Sequence, residues 1–349
     1  MSGEKRRGRP HKDNPNPYGP KGLKCNQLFD IVFFDEKALY FSLHTLSESS
    51  QDKVRGIIKN HAKDFFGDKL VSSIRIQDVS GFRRYLVEKG LSVKSQLDVY
   101  SYVKAAFSLA PDIDPEHVTR NAFASKSITP IKKEAAHLTR TPTFTLEEVK
   151  LLFSKPWQNP LVQALALTIL YTGARVNELV ALRYEDFSIS KEKELGVEIT
   201  IEKNFSPGYG MKSTKTEAGF RKVVLPLYVW DFIYPTLNWA PGMLVFSYDG
   251  KTLINYFYRS RWFYRELERC EIPRKREGEK EERTLYSLRP FYKSYTSEKL
   301  SRELSNFVMG HKDQSMGSHY WHYERSLHAP LLIEAMDGLL DLNFSIFGT

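Results

Sequence analysis

Apolar residues recur every three or four positions through most of residues 26–125, the period of helices that bury one face. Val54, Ile57, Ile58 and Phe65 share such a face, and a second helix is predicted from Val79 to Lys89, ending at Gly90. A third fits Ser92 to Leu109, with Tyr100, Val103, Ala106 and Phe107 on one side and Pro111 just past its end. The period is lost in SKSITPIKKEAAHLTR (126–141), which reads as a linker, and it restarts in TPTFTLEEVKLLF. There Thr145 is placed to cap the new helix, with Glu147 and Glu148 in the first turn, where the helix dipole favours acids. Residues 158–183 form a long apolar helical stretch broken at Thr172-Gly173. The period then shortens to two in GVEITIEK (196–203) and FRKVVLPL (220–227), two strands with a polar Gly/Ser/Thr/Lys loop between them. Residues 228–270 read as helical and rich in aromatics, and 274–283 as a solvated loop or helix start. The stretch APLLIEAMDGLLDL (329–342) is an amphipathic helix. No repeat is visible. The pattern predicts a mainly α fold with a small antiparallel sheet (α+β), divided into a helical domain at 25–127, a linker at 128–141, a mixed domain at 142–328 and a terminal helix within 329–349.

Composition narrows the partner. A chain of 349 residues suits two domains, and 41% hydrophobic with 13% aromatic residues is enough to build their cores. The formal charge of +9 favours a polyanion, nucleic acid before an anionic membrane surface. No apolar run approaches the roughly 18 residues of a membrane span, and the basic N-terminus lacks the apolar centre of a signal peptide. Cys25 and Cys270 stand far apart without metal-ligand spacing, which suits a reducing, cytoplasmic interior. Residues 1–24 carry seven Lys or Arg against two acids, with four prolines, and are expected to be a disordered basic tail. Its centre, Lys5-Arg6-Arg7-Gly8-Arg9-Pro10, resembles an AT-hook: Arg6, Arg7 and Arg9 would contact DNA without sequence preference or insert into a narrow A·T minor groove, the alternative being a basic solubilising or localising tail. Lys53, Arg55, Lys59, Arg83 and Arg84 stud the helical block, as solvated residues or as a basic clamp.

Four separated motifs carry the chemistry. TGARVNEL (172–179), YSLRP (286–290), MGHKD (309–313) and HYWH (319–322) follow one another in the order, and with the nine-residue step from His311 to Tyr320, that is similar to the tyrosine recombinases, the integrase class of site-specific DNA recombinases. The resemblance covers residues 25–349, by architecture alone in the helical block and by motif in the mixed domain. The divergent second motif is similar to integrases of archaeal viruses and plasmids.

The resemblance implies a nucleophile, two phosphate-binding arginines, a general acid and no metal, nucleotide or other cofactor. Tyr320 is the implied nucleophile and Tyr323, about one helical turn on, its rival; a phosphotyrosyl ester keeps nearly the energy of the diester it replaces. Arg175 and Arg289 are the implied guanidiniums that hold the non-bridging oxygens, with Arg175 just after Gly173 at a helix start. Glu178, on the same helix, is expected to orient Arg175, and Arg183, off the motif, to form an ordinary salt bridge. The general acid is a lysine of the interstrand loop, Lys215 in Thr-Lys-Thr or Lys212, which otherwise contacts DNA. His311 would bond a phosphate oxygen or assist proton movement. Tyr286 and Pro290 depart from the family's second motif, where histidine or lysine and then histidine are usual; the Tyr286 hydroxyl can donate a hydrogen bond but does not carry protons near neutral pH. The expected partners are double-stranded DNA, gripped between the two domains at a specific site, and further copies of the chain, a tetramer on two duplexes. The terminal helix, with Leu331, Leu332, Ile333, Met336, Leu339 and Leu340, would dock on a neighbouring copy or pack on its own domain. Two other readings share these motifs: a DNA-relaxing topoisomerase and a DNA-binding protein with a decayed site.

Overall fold

A computed structural model describes residues 17–125, 142–213, 220–277, 279, 281–311 and 322–342. The chain divides into two compact units, 1–138 and 139–349.

The N-terminal unit is helical. Helix α1 (Cys25–Phe29) continues into a π-helical turn (Asp30–Phe34), and α2 (Leu39–Leu43) and α3 (Glu48–Ile57) follow, the latter prolonged by a second π turn (Ile58–Lys63) into α4 (Asp64–Phe66). Helices α5 (Ile76–Glu88) and α6 (Val93–Ile113) complete it. Val54 and Ile58 face the core as their spacing predicts, and Ile57 and Phe65 are partly buried beside it. The centre of this core is aromatic: the Phe66 ring lies 4.9 Å from Phe82, 5.5 Å from Phe107 and 6.2 Å from Phe29. One expectation needs correction. Helix α6 does not stop before Pro111 but runs through it to Ile113, because a proline so near the end removes a single backbone bond, to Phe107, while Phe107 and Ala110 are held in the core.

In the second unit α7 (Leu146–Leu152) starts at Thr145, whose Oγ1 accepts from the Glu148 N–H at 3.2 Å while Glu148 bonds back to the Thr145 N–H. Helix α8 (Pro160–Thr172) is buried on every side, so it is the axis of the domain. It ends at Gly173, in the left-handed region at φ 63°, where a Cβ would also strike the Tyr292 ring at 2.5 Å; α9 (Val176–Leu179) starts after it. Strand β1 (Phe187–Ile189) pairs with β2 (Val197–Ile201), and β2 with β5 (Arg221–Leu225), all antiparallel. The expected polar loop holds a second hairpin, β3 (Lys203–Ser206) with β4 (Gly210–Ser213); Gly208 and Gly210 take positive φ at its turn, and β3 shows no period in sequence because it has no fully buried face.

Helix α10 (Leu227–Ile233), then α11 (Tyr256–Arg269), α12 (Leu288–Thr296), α13 (Arg302–Met309) and α14 (Arg325–Met336) complete the unit. The helical expectation for 228–270 holds only at its two ends, since residues 237–255 are a loop. The stretch 274–283 is not merely solvated. Arg283 is fully buried and bonds Glu148 at 3.1 Å and the Pro273 carbonyl at 3.0 Å, and Arg276 reaches the same carboxylate at 2.6 Å, so Glu148 ties this segment to α7. Helix α14 begins earlier than 329, at Arg325, whose guanidinium bonds the Ser188 and Gly196 carbonyls. It seats Leu332, Ala335 and Met336, with Leu339 just beyond, in the core of its own unit and leaves Leu331 exposed.

Candidate functional site

Three segments far apart in sequence meet where α8 ends. Arg175 precedes α9; its Nη1 donates to Glu178 Oε1 at 2.8 Å, and its Nη2 lies 3.5 Å from the Gly310 carbonyl. Arg289, on the first turn of α12, is buried, and its Nη1 and Nη2 donate to the carbonyls of Gly173 and Met309. Its Nη2 also stands 3.4 Å from His311 Nε2. Arginine only donates, so in this contact Nε2 is the acceptor and the imidazole proton sits on Nδ1. Gly310 closes α13 in the left-handed region, φ 57°, and this turn brings His311 back over Arg289.

The electrostatics of this corner are unusual. Burial, then the charges of Arg289, Lys293, Arg175 and Arg221, pulls the His311 pKa down to about 4, so the ring is neutral at pH 7. Burial and the neighbouring Arg175 and Arg221 lower Arg289 to about 10, still protonated. Burial by itself would raise the Glu178 carboxyl, but hydrogen bonds and charge from Arg221 and Arg175 outweigh it and hold it below the ordinary carboxylate value.

Arg221 is the residue the sequence reading missed. It sits on β5, buried, and donates to both Glu178 oxygens at 3.1 and 2.6 Å and through Nε to the Val308 carbonyl at 2.6 Å. The signal was present: in FRKVVLPL the two-residue period puts Arg221 on the face of Val223 and Leu225, and a charge on the apolar face of a strand calls for a partner. Glu178 orients Arg175, as expected. Arg183 departs from expectation: its guanidinium donates to the Gly242 carbonyl, while the Asp186 carboxylate accepts from its backbone N–H, because the loop 237–255 passes within reach.

A cleft of about 460 Å³ opens beside this cluster, lined by Arg175, Asn177, Asn204, Tyr256, Arg259 and Tyr286 among others. Tyr286 is 48% exposed on its rim. The β3–β4 hairpin forms part of the wall through Asn204, which is opposite Lys212 in the register. The implied general acid Lys215, the implied nucleophile Tyr320 and Arg6, Arg7 and Arg9 lie outside the described residues, as does most of the 126–141 linker. The rival Tyr323 is described. Its ring stacks on Phe307 at 5.1 Å and on His328 at 5.6 Å, and burial with the Glu198 carboxylate beside it raises its pKa. That environment opposes forming a phenolate at Tyr323. Among the described residues no group of three His, Cys, Asp or Glu side chains is placed to hold a metal, and no helix is long and apolar enough to cross a membrane.

No protein-family model matches the chain. It is similar to the ICEBs1 integrase of Bacillus subtilis (strain 168), 25% identical over 171 residues, which is 48% of this chain and 43% of that protein. It is also similar to a XerC-like tyrosine recombinase of Caldanaerobacter subterraneus subsp. tengcongensis, 27% identical over 175 residues, 50% of this chain and 41% of that one. The chain thus spans less than half the length of these curated relatives in the matches. Among solved structures, the Tn1549 transposon integrase in complex with transposon right end DNA superposes with a TM-score of 0.62 at 17% identity, over 89% of this chain and 99% of that one. A lambda integrase tetramer bound to a Holliday junction gives 0.61 at 15%, over 87% and 80%. At these identities the structural likeness establishes the fold, a mainly helical one with small antiparallel sheets.

Proposed function

We propose that this chain, a member of the tyrosine recombinase family, is a site-specific DNA recombinase, an integrase of a mobile element, that cuts and rejoins duplex DNA through a 3′-phosphotyrosyl link. The observation that carries the proposal is the meeting of Arg175, Arg289 and His311, from three distant motifs, around the carbonyls of Gly173, Met309 and Gly310. Two guanidiniums at one point suit a single phosphodiester, whose two non-bridging oxygens they can hold. In the cleavage step the Tyr320 Oη–P bond forms and the P–O5′ bond breaks. Arg175 and Arg289 offset the charge that grows on the pentacoordinate phosphorus. Lys215, or Lys212 from β4, gives its proton to the leaving O5′, the phenolic proton passes to water, and His311, neutral at pH 7, donates from Nδ1–H to a phosphate oxygen. Tyr286 donates a hydrogen bond to the phosphate from the rim of the cleft. The free 5′-hydroxyl of a partner strand then reverses the step, and the energy of the diester is kept throughout, so no metal, nucleotide or other cofactor is required.

The partners in this proposal are double-stranded DNA carrying a specific attachment site and further copies of the chain, four on two duplexes; the DNA-bound forms of the Tn1549 and lambda integrases support it. The working compartment is the cytoplasm, on DNA. The tail with Arg6, Arg7 and Arg9 adds DNA contact, and the exposed side of α14, with Leu327 and Leu331, is the part of that helix left for docking on a neighbouring copy, since its other side is seated on its own unit.

A nicked suicide duplex carrying the element's end tests the proposal. The wild type should accumulate a covalent protein–DNA adduct resistant to denaturation, Tyr320→Phe should form none, and Tyr323→Phe should still form it. Normal DNA binding without any wild-type adduct would sink the enzyme reading, and an adduct from Tyr320→Phe would move the nucleophile elsewhere.

A further inference from the structure

Arg221 belongs to none of the four motifs, yet it touches two of the segments that build the site. Its Nη atoms take both oxygens of Glu178, which holds Arg175, and its Nε takes the Val308 carbonyl, three residues before His311. Glu178 receives two bonds from Arg221, at 3.1 and 2.6 Å, and two from Arg175, one from the backbone N–H and one from Nη1, each at 2.8 Å. Four donors saturate the four lone pairs a carboxylate offers.

We propose that Arg221 is a positioning residue that acts by charge: it cancels the carboxylate that orients Arg175, so that Arg175 keeps a full positive charge for the scissile phosphate. The count supports this. Among the described residues, the three guanidiniums of Arg175, Arg221 and Arg289 stand against the one carboxylate of Glu178, a surplus of two positive charges within this hydrogen-bonded set, with Lys293 a further charge near His311. The transition state of phosphodiester cleavage carries about two negative charges, one more than the ground state, so the surplus is matched to the transition state. Without Arg221 the surplus falls to one, and Glu178 becomes the private counterion of Arg175. The Arg175 side chain is 39% exposed and that of Arg221 fully buried, so Arg221 acts through Arg175 rather than by contact.

The inference rests on the reading of this corner as a phosphate site, and two readouts separate the two. The first is adduct formation on the nicked duplex at saturating protein, for wild type, Arg221→Gln, Glu178→Gln and the double variant. Arg221→Gln should be slower by about 100-fold, and adding Glu178→Gln should restore at least about tenfold of that, because removing the carboxylate frees Arg175 again. A merely structural arginine gives the opposite, a double variant no faster than the single one, and that result would overturn the inference. The second readout needs no chemistry: the affinity of each protein for the duplex with its scissile phosphate replaced by a neutral methylphosphonate, relative to the native duplex. Wild type should prefer the charged phosphate, Arg221→Gln should lose that preference and the double variant regain it. If the wild type forms no adduct but these preferences follow the stated order, the recombinase reading fails and the inference stands; if Arg221→Gln keeps the wild-type preference, the inference fails whatever the adduct shows. Thermal melts of all four proteins identify any variant that is unfolded, and Arg221→Lys, which keeps the charge but not the fork, should fall between wild type and Arg221→Gln in both readouts.

Discussion

The two units of this chain solve the burial problem in opposite ways. Among the described residues, the N-terminal unit buries a single charged side chain, Asp114, which accepts from the Leu23 N–H at 2.8 Å and pairs with His117 at 3.0 Å; the rest of its core is aliphatic and aromatic. The C-terminal unit buries Glu178, Glu198, Arg221, Arg259, Glu266, Arg283 and Arg289. Each of these must be desolvated at a cost of several kcal/mol and then paired, so a well-packed apolar core would hold the fold as well or better. The N-terminal unit shows that this chain can build such a core. Three of the charges in the other unit, Glu178, Arg221 and Arg289, are therefore explained by what they do rather than by stability, and they gather where α8 ends and α9, β5 and α12 meet.

The comparison can be broken in three places. Arg289→Ala should reduce adduct formation by about 10³-fold while DNA binding, spread over many phosphates, changes little; a variant within tenfold of wild type would mean that this buried charge serves the fold alone. In the other unit, Phe66→Ala removes the ring at the centre of the aromatic core and should cost about 3–5 kcal/mol on denaturant unfolding. A loss below 1 kcal/mol would show that core to be looser than its ring contacts imply. The smallest effect concerns His311. Its pKa is about 4 in the folded chain against an unfolded value of about 6.5, so the unfolded chain binds the extra proton first. The stability it contributes is complete above about pH 6.5 and is lost as the pH falls toward 4. His311→Gln should therefore lose less melting temperature than wild type between pH 7 and pH 5. Parallel pH profiles would contradict the neutral imidazole on which its proposed role depends.

How much of this was legible beforehand follows from the same contrast. Where one side of an element is wet and the other dry, the period reports the element, which is why α5 and α7 are visible in the residues alone; α8, buried on every side, shows instead as a long apolar run, and β2 and β5 as alternating strands. Thr145 and Gly173 mark helix ends because capping and positive φ are local demands. Strand β3 leaves no period because it has no fully buried face to impose alternation, and α6 runs past the end its residues predict because tertiary packing outweighs one missing backbone bond at Pro111.

Arg175, Arg289 and His311 could be named from their motifs because each needs particular neighbours: a glycine turn before Arg175, an apolar Leu288 beside Arg289, a left-handed glycine before His311. What no linear pattern contains is partnership across the fold. That Glu148 would hold Arg276 and Arg283, that Glu178 would share its two oxygens between Arg175 and Arg221, and that His311 would be stripped of its proton are consequences of segments 22 to 135 residues apart meeting in a desolvated interior. The sequence by itself determined which residues can do chemistry and which helices carry them. Only the tertiary structure decided their charge states, because those depend on burial and on neighbours that local periodicity does not record.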